Sequence, residues 1–255
     1  MMDNLTLVET LEPGIVSLTL NRSHRRNALN IALLEQLNHE IQKIEGDRGN
    51  RVVILGGAGP VFSAGLDLKE ASDVSLVERS AIAVERALYR LQRTSLIVIA
   101  AVHGGAYAGG AGLMAACDVV IAAEDAQFAF PEARRGLLPA LICNVLRHKV
   151  GEGDLRDLFL VGDPIDAQRA LRIGLVQRIV PVSQLRDAAR ELAKSVISGG
   201  PYTIRQTKEL INEAFADAIQ SSGTHMVKEH LAARHSEEAR EGLAAFIEKR
   251  EPKWD

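Results

Sequence analysis

Apolar positions along this chain follow two periods. Ile15–Leu20 reads as a short strand, and Arg51–Leu55, Leu96–Val102 and Val119–Ala122 are near-continuous aliphatic runs of the kind found in strands buried on both faces. Between them the spacing becomes helical. Ile31, Leu34, Leu37, Ile41 and Ile44 share one face from Asn30 to Ile44, with Asn30 placed to cap the first turn. A long helix is predicted from about Ser75 to Arg93, and Gly109–Cys117 reads as a short buried helix. After Pro139 helical patterns dominate, over Leu141–Val150, Leu155–Val161, Asp166–Arg172, Leu185–Ile197, Tyr202–Ala214 and Ala216–Ala233. A last helix starts at Ser236, where two glutamates suit the positive end of a helix dipole. Val176–Val180 is the only late strand expected. The order predicts an α/β body over residues 1–200 and a helical C-terminal region over residues 201–255.

Composition narrows the class. A chain of 255 residues with 47% hydrophobic and 25% charged positions can bury a large core. Its net charge of −3 and its 4% aromatic content argue against a nucleic-acid partner, which needs a basic surface and stacking rings. Cys117 and Cys143 lie apart in apolar surroundings, so neither a disulfide framework nor a zinc site is expected, and a reducing compartment fits. Met1–Gly14 carries acids and no long apolar run, unlike a signal peptide, which places the expectation in the cytoplasm. Thr94–Cys117 has no Asp, Glu, Lys or Arg and has the length of a membrane span. Five glycines crowd its middle, however, so it reads as a buried strand, a turn and a helix, with no membrane partner.

Chemistry concentrates in two glycine-containing turns that follow buried strands. They are Phe62–Glu70 and Gly104–Gly112. Glycine lets a ligand approach the backbone closely, and two convergent amides are what a developing oxyanion needs. Gly110–Ala115 also spells a GxGxxA string, but His103–Ala108 separate it from the strand, unlike a dinucleotide-binding turn. No GKS or GKT is present, which excludes a Walker phosphate loop.

These turns, with Asn21-Arg22 and Asn27-Ala28-Leu29-Asn30 before them and Phe130-Pro131-Glu132 and Gly136-Leu137-Leu138-Pro139 after them, resemble the enoyl-CoA hydratase/isomerase (crotonase) superfamily. The resemblance continues to the tail Glu241–Arg250. It implies an α/β crotonase (ClpP-like) spiral of repeated ββα units, with a C-terminal helical region used in trimerisation. It further implies an acyl-CoA thioester substrate held as an enolate by the amides of Leu66 and Gly109. His24, Arg25, Ala64, Leu68 and Lys69 would bind CoA, and Phe246 and Lys249 would reach the CoA of a neighbouring subunit. The implied assembly is a homotrimer or a dimer of trimers. No cofactor is expected, because CoA is part of the substrate, and no metal.

The acid–base pair departs from the resemblance. Hydratases of this family have a glutamate three residues beyond the oxyanion glycine, and here that residue is Gly112. Glu132 is left as the one acid–base candidate. Its apolar neighbours predict a raised pKa, while Arg134 and Arg135 offer a plain ion pair instead. The reading is hydration of a 2-enoyl-CoA to a 3-hydroxyacyl-CoA. The alternatives are a 3-methylglutaconyl-CoA hydratase, a Δ3-Δ2 enoyl-CoA isomerase using Glu132 alone, and a catalytically silent acyl-CoA- or RNA-binding member. Arg134, His103 and Asp118 read as structural, as does the charged run near the C-terminus.

Overall fold

The chain is described over residues 4–254 by a computed structural model. Nine strands occur among these residues: β1 (Thr6–Glu12), β2 (Ile15–Leu20), β3 (Val52–Gly57), β4 (Ile97–Val102), β5 (Gly105–Tyr107), β6 (Val119–Ala123), β7 (Gln127–Ala129), β8 (Ile165–Asp166) and β9 (Arg178–Val180). Six of them form a sheet in the order β1-β2-β3-β4-β6-β9, parallel throughout except for the β1–β2 hairpin. The short β5, β7 and β8 make a second sheet. Strand β8 is thus a second late strand beside β9, and its two residues are too few to leave a pattern.

Eleven α-helices occur among the described residues. They are α1 (Ile31–Gly46), α2 (Leu68–Ala71), α3 (Val77–Arg93), α4 (Gly109–Ala115), α5 (Ala140–Leu146), α6 (Glu152–Arg156), α7 (Ala167–Arg172), α8 (Leu185–Ile197), α9 (Pro201–Ala214), α10 (Ala216–Arg234) and α11 (Glu237–Glu248). Of these, α1 and α8 pack on the large sheet. The central strand β4 is buried along its whole length. Its alternate residues serve different cores: Val98, Ala100 and Val102 face the apolar mass that includes α1, α3, α4 and α5 residues, while Ile97, Ile99 and Ala101 face α8. A strand with two apolar neighbours reads as a continuous hydrophobic run, which is why its pattern lacks alternation.

Local chemistry sets the helix starts. Asn30 caps α1 by accepting from the Leu33 amide at 3.0 Å, Asp166 caps α7 through Arg169, and Ser236 caps α11 through Ala239. Leu155–Val161 is not one regular helix. Its first part belongs to α6, and Asp157–Val161 is a wider π turn that ends at Gly162 in the left-handed region. Strand β1 carries no apolar signature because four of its seven residues face solvent at the sheet edge. No helix among the described residues is long and apolar enough to cross a membrane.

The C-terminal helices return to the body. Helix α10 packs across α3 and α5, and α11 lies on the turn Ala133–Arg135. Helix α9 is anchored by Lys208, which is 6% exposed and donates to the Leu96 carbonyl at 2.7 Å and to Asp118 Oδ2 at 2.8 Å. Asp118 also accepts from the Val98 amide, so one buried cation joins α9 to β4 and to the start of β6. Breaking a buried ion pair strands its partner in a poorly hydrated place. Lys208→Ala is expected to lower the unfolding free energy by about 3 kcal/mol in urea titrations, with part recovered when Asp118→Asn removes the stranded charge.

Candidate active site

The first turn is held by side chains from the segment before it. Asn27 sits at φ 52° and is fully buried. Its side-chain nitrogen donates to the carbonyls of Ala58, Val61 and Phe62 at 2.8–3.1 Å, and its Oδ1 accepts from the Arg22 amide. Ser63 Oγ donates to the Asn27 carbonyl at 2.8 Å and accepts from the Gly65 amide at 3.2 Å. Arg22 closes the loop from outside, with an ion pair to Asp67 at 2.6 Å and a hydrogen bond to the Ala28 carbonyl. A parallel bridge pairs Leu29 with Leu66, using the carbonyl of Gly65 and the amide of Asp67. That pattern leaves the Leu66 amide pointing away from Leu29.

The second turn is pressed against the first. Gly65 adopts φ +86°, and a Cβ there would lie 2.6 Å from the Tyr107 carbonyl and 3.4 Å from the Gly109 amide nitrogen. Only glycine fits a position that is both left-handed and this close to another backbone. Ala108 is also bent out of the common regions, at φ 49° and ψ −123°. Its amide donates to the Ala129 carbonyl, and its carbonyl accepts from the Gly112 amide. A Cβ on Gly109 would stand 3.7 Å from the Leu66 nitrogen, so the two amides share one small space. Neither donates to a protein acceptor among the described residues. Two free N–H groups this close together are suited to one oxyanion.

Glu132 completes the arrangement. It lies two residues beyond the buried Phe130, just before the turn Ala133–Arg135, and only 6% of its surface is exposed. Both carboxyl oxygens are buried without a hydrogen-bond partner. Burial pushes the carboxyl up from its ordinary 4.5 to about 7, against a smaller downward pull from its own backbone amide and from Arg135. Neither neighbouring arginine forms an ion pair with it. Arg134 instead pairs with Asp163, and Arg135 lies over the Phe246 ring at 4.7 Å.

One cavity gathers Glu132, Leu66, Gly109 and Leu68, with Leu137, Leu138, Leu141 and Ile142 among its walls. Among the described residues, Glu132 is its only acidic lining residue. Gly112 is buried nearby, and a Cβ there would meet Ile142 at 3.0 Å, so an apolar side chain fills the space a second glutamate would need. Outside the cavity, His24, Arg25 and Lys69 are exposed, and Ala64 is half-buried on the same turn as Leu66. Phe246 is half-exposed on α11, and Lys249 ends that helix in the left-handed region with its side chain in solvent. His103 contacts the Gly59 carbonyl, and Asp118 serves the Lys208 anchor.

Three basic residues of the cavity are not among the site residues expected from sequence. Arg135, His230 and Arg234 line the same space as Glu132. His230 and Arg234 stand four apart on α10, which puts them on one helix face. That spacing is the available signal, but it lies in a run of charged residues with the look of a solvated surface. Burial, aided by the Arg234 charge, pushes the His230 imidazole down to about 4, so it is neutral near pH 7.

The family model described as "Enoyl-CoA hydratase/isomerase" matches residues 10–255. The short-chain-enoyl-CoA hydratase of Clostridium acetobutylicum is 33% identical over 243 residues, which are 94% of this chain and 93% of the relative. An enoyl-CoA hydratase structure from Mycobacterium avium has a TM-score of 0.90 at 34% identity, covering 100% of both chains. Another from Bacillus anthracis has a TM-score of 0.80 at 34% identity, covering 98% of this chain and 99% of its own. The α/β crotonase fold expected from the sequence is therefore the fold of this chain.

Burial of Glu132 also makes stability depend on pH. Its folded-state pKa is raised, so between about pH 4.5 and 7 the folded protein binds a proton that the unfolded chain has released. Stability therefore falls as pH rises through that window. Glu132→Gln removes the effect, and its stability relative to wild type is expected to improve by roughly 2–3 kcal/mol between about pH 5 and pH 8 in denaturant titrations. Parallel pH curves for the two proteins would show that the carboxyl is hydrated.

Proposed function

The chain belongs to the enoyl-CoA hydratase/isomerase family, and from that premise we propose that it adds water across the 2,3 double bond of an enoyl-CoA thioester using Glu132 as its single acid–base group. The observation that carries this reading is the unpartnered, buried carboxyl in one cavity with the amides of Leu66 and Gly109. In the proposed sequence the thioester oxygen lies against those two amides. Glu132 takes a proton from water as the water oxygen bonds to C3, and the electron pair of the double bond moves to the thioester oxygen as an enolate. The enolate then returns the pair to C2, which takes the proton from Glu132. The product is a 3-hydroxyacyl-CoA, and the carboxylate is restored. A group with a pKa of about 7 is suited to both halves, because neither its acid nor its base form is strongly favoured near neutral pH.

Gly112 and Ile142 favour a second reading of the same site, in which Glu132 moves a proton from C2 to C4 of a 3-enoyl-CoA and no water enters. Both readings use the same oxyanion amides. His24, Arg25, Ala64, Leu68 and Lys69 are proposed to hold CoA at the rim of the first turn. Phe246 and Lys249 are proposed to meet the CoA of a neighbouring subunit, with residues 201–255 forming the contacts of a homotrimer or a dimer of trimers. The proposed reaction needs no cofactor beyond the CoA of the substrate, and a cytoplasmic location is proposed with it.

Glu132→Gln keeps the size of the side chain but removes the base. It is expected to bind acyl-CoA as wild type does while hydration of crotonyl-CoA falls by about 10²–10⁴. Hydration, isomerisation and exchange of the C2 proton with solvent all unchanged in that variant would overturn the single-carboxyl reading. The assembly is checked by light scattering of the purified protein. A trimer or hexamer is expected, and a stable, active monomer would remove the proposed role of Phe246 and Lys249.

A further inference from the structure

Arg234 is a buried cation without a counterion among the described residues. It lies in the last turn of α10 and is 5% exposed. Its Nη2 donates to the Ala71 carbonyl, but its Nε and Nη1 are buried and have no hydrogen-bond partner. Burial acts on its guanidinium with no carboxylate opposing it. The one acid in the cavity, Glu132, has no hydrogen-bond partner on either carboxyl oxygen, so it is not paired with Arg234.

An unpaired guanidinium inside a protein is expensive, because the water it has lost is not replaced. Arginine is also the side chain best suited to receive a carboxylate, since it offers several donors in a fixed plane and stays charged. Arg234 lies between two cavities: one holds Glu132 and the two oxyanion amides in a largely aliphatic wall, and the other, on the Ala71 side, is lined by Arg240 and Glu248, which forms no ion pair with it. With the thioester oxygen against Leu66 and Gly109, and the CoA phosphates outside with Lys69 and its neighbours, an anion that reaches Arg234 through the Glu132 cavity belongs to the acyl chain. We propose that the substrate is an enoyl-CoA whose acyl chain ends in a carboxylate, and that Arg234 receives that carboxylate. The proposal rests on the reading of this cavity as an enoyl-CoA site. The carboxylate is a spectator, and the water still adds across C2 and C3.

The test compares thioesters of equal length with and without the distal charge. Five- and six-carbon dicarboxylic 2-enoyl-CoA esters are set against 2-pentenoyl- and 2-hexenoyl-CoA. Wild type is expected to favour the dicarboxylic member by about 10² in kcat/KM, and Arg234→Met to abolish that ratio through KM rather than kcat. Arg234→Lys, which keeps the charge, is expected to retain part of the preference. Calorimetry on the Glu132→Gln protein gives a readout free of turnover. There adipyl-CoA is expected to bind about 10² more tightly than hexanoyl-CoA, and Arg234→Met in that background to equalise them.

Equal or inverted preference in wild type overturns the proposal, as does a preference that Arg234→Met leaves intact. A neighbouring subunit that supplies the counterion would show itself as a changed oligomeric state in Arg234→Met with no preference to lose, and that too overturns it. Folded wild type that turns over none of the thioesters sinks the enoyl-CoA reading, while calorimetry still reports on Arg234.

Discussion

A carboxyl group taken out of water and given no partner is the constraint on which the rest of this site depends. Left in solvent, Glu132 would be a weak base fully ionised at neutral pH. Paired with Arg134 or Arg135, it would be held in the ionised form and could not deliver a proton readily. The fold avoids both outcomes. Arg134 is drawn off by Asp163, Arg135 is stacked over Phe246, and Leu137, Leu138, Leu141 and Ile142 supply much of the apolar wall. The resulting group has a pKa of about 7, which is a property of its surroundings rather than of its sequence neighbours.

The oxyanion amides depend on a different kind of order. Leu66 and Gly109 come from turns after β3 and after β4, strands that pair in parallel, so both turns emerge at the same end of the sheet. Parallel pairing puts them near each other, and Gly65 lets them touch. Asn27 and Ser63 then fix the first turn with hydrogen bonds that are mostly buried. The small sheet fixes the second, through the Ala108 amide on the carbonyl of Ala129 in β7.

Much of this is legible in the sequence, for physical reasons that differ by element. Leu185–Ile197 has the bounds expected of it because its apolar face packs on one core and nothing interrupts its period. Asn30 is legible because a capping side chain acts on a backbone group three residues away. Strand β1 is not, since an edge strand has too few buried positions to leave a pattern, and β5, β7 and β8 are too short to show a period. In the site, Leu66, Gly109 and Glu132 come from motif likeness, and the structure brings them to one cavity. His230 and Arg234 stay hidden because the burial of a charged helix face is decided by what packs on it, here α3 and α5, and not by its own composition.

The roof over Glu132 also has a place in time. Leu66, Gly109 and Glu132 all precede in the chain the wall that includes His230 and Arg234, and so are synthesised before it. Until α10 is made and docks, the cavity stands open to water on that side, and the carboxyl keeps more of its hydration. The burial that raises its proton affinity is thus completed by a helix made after the group itself.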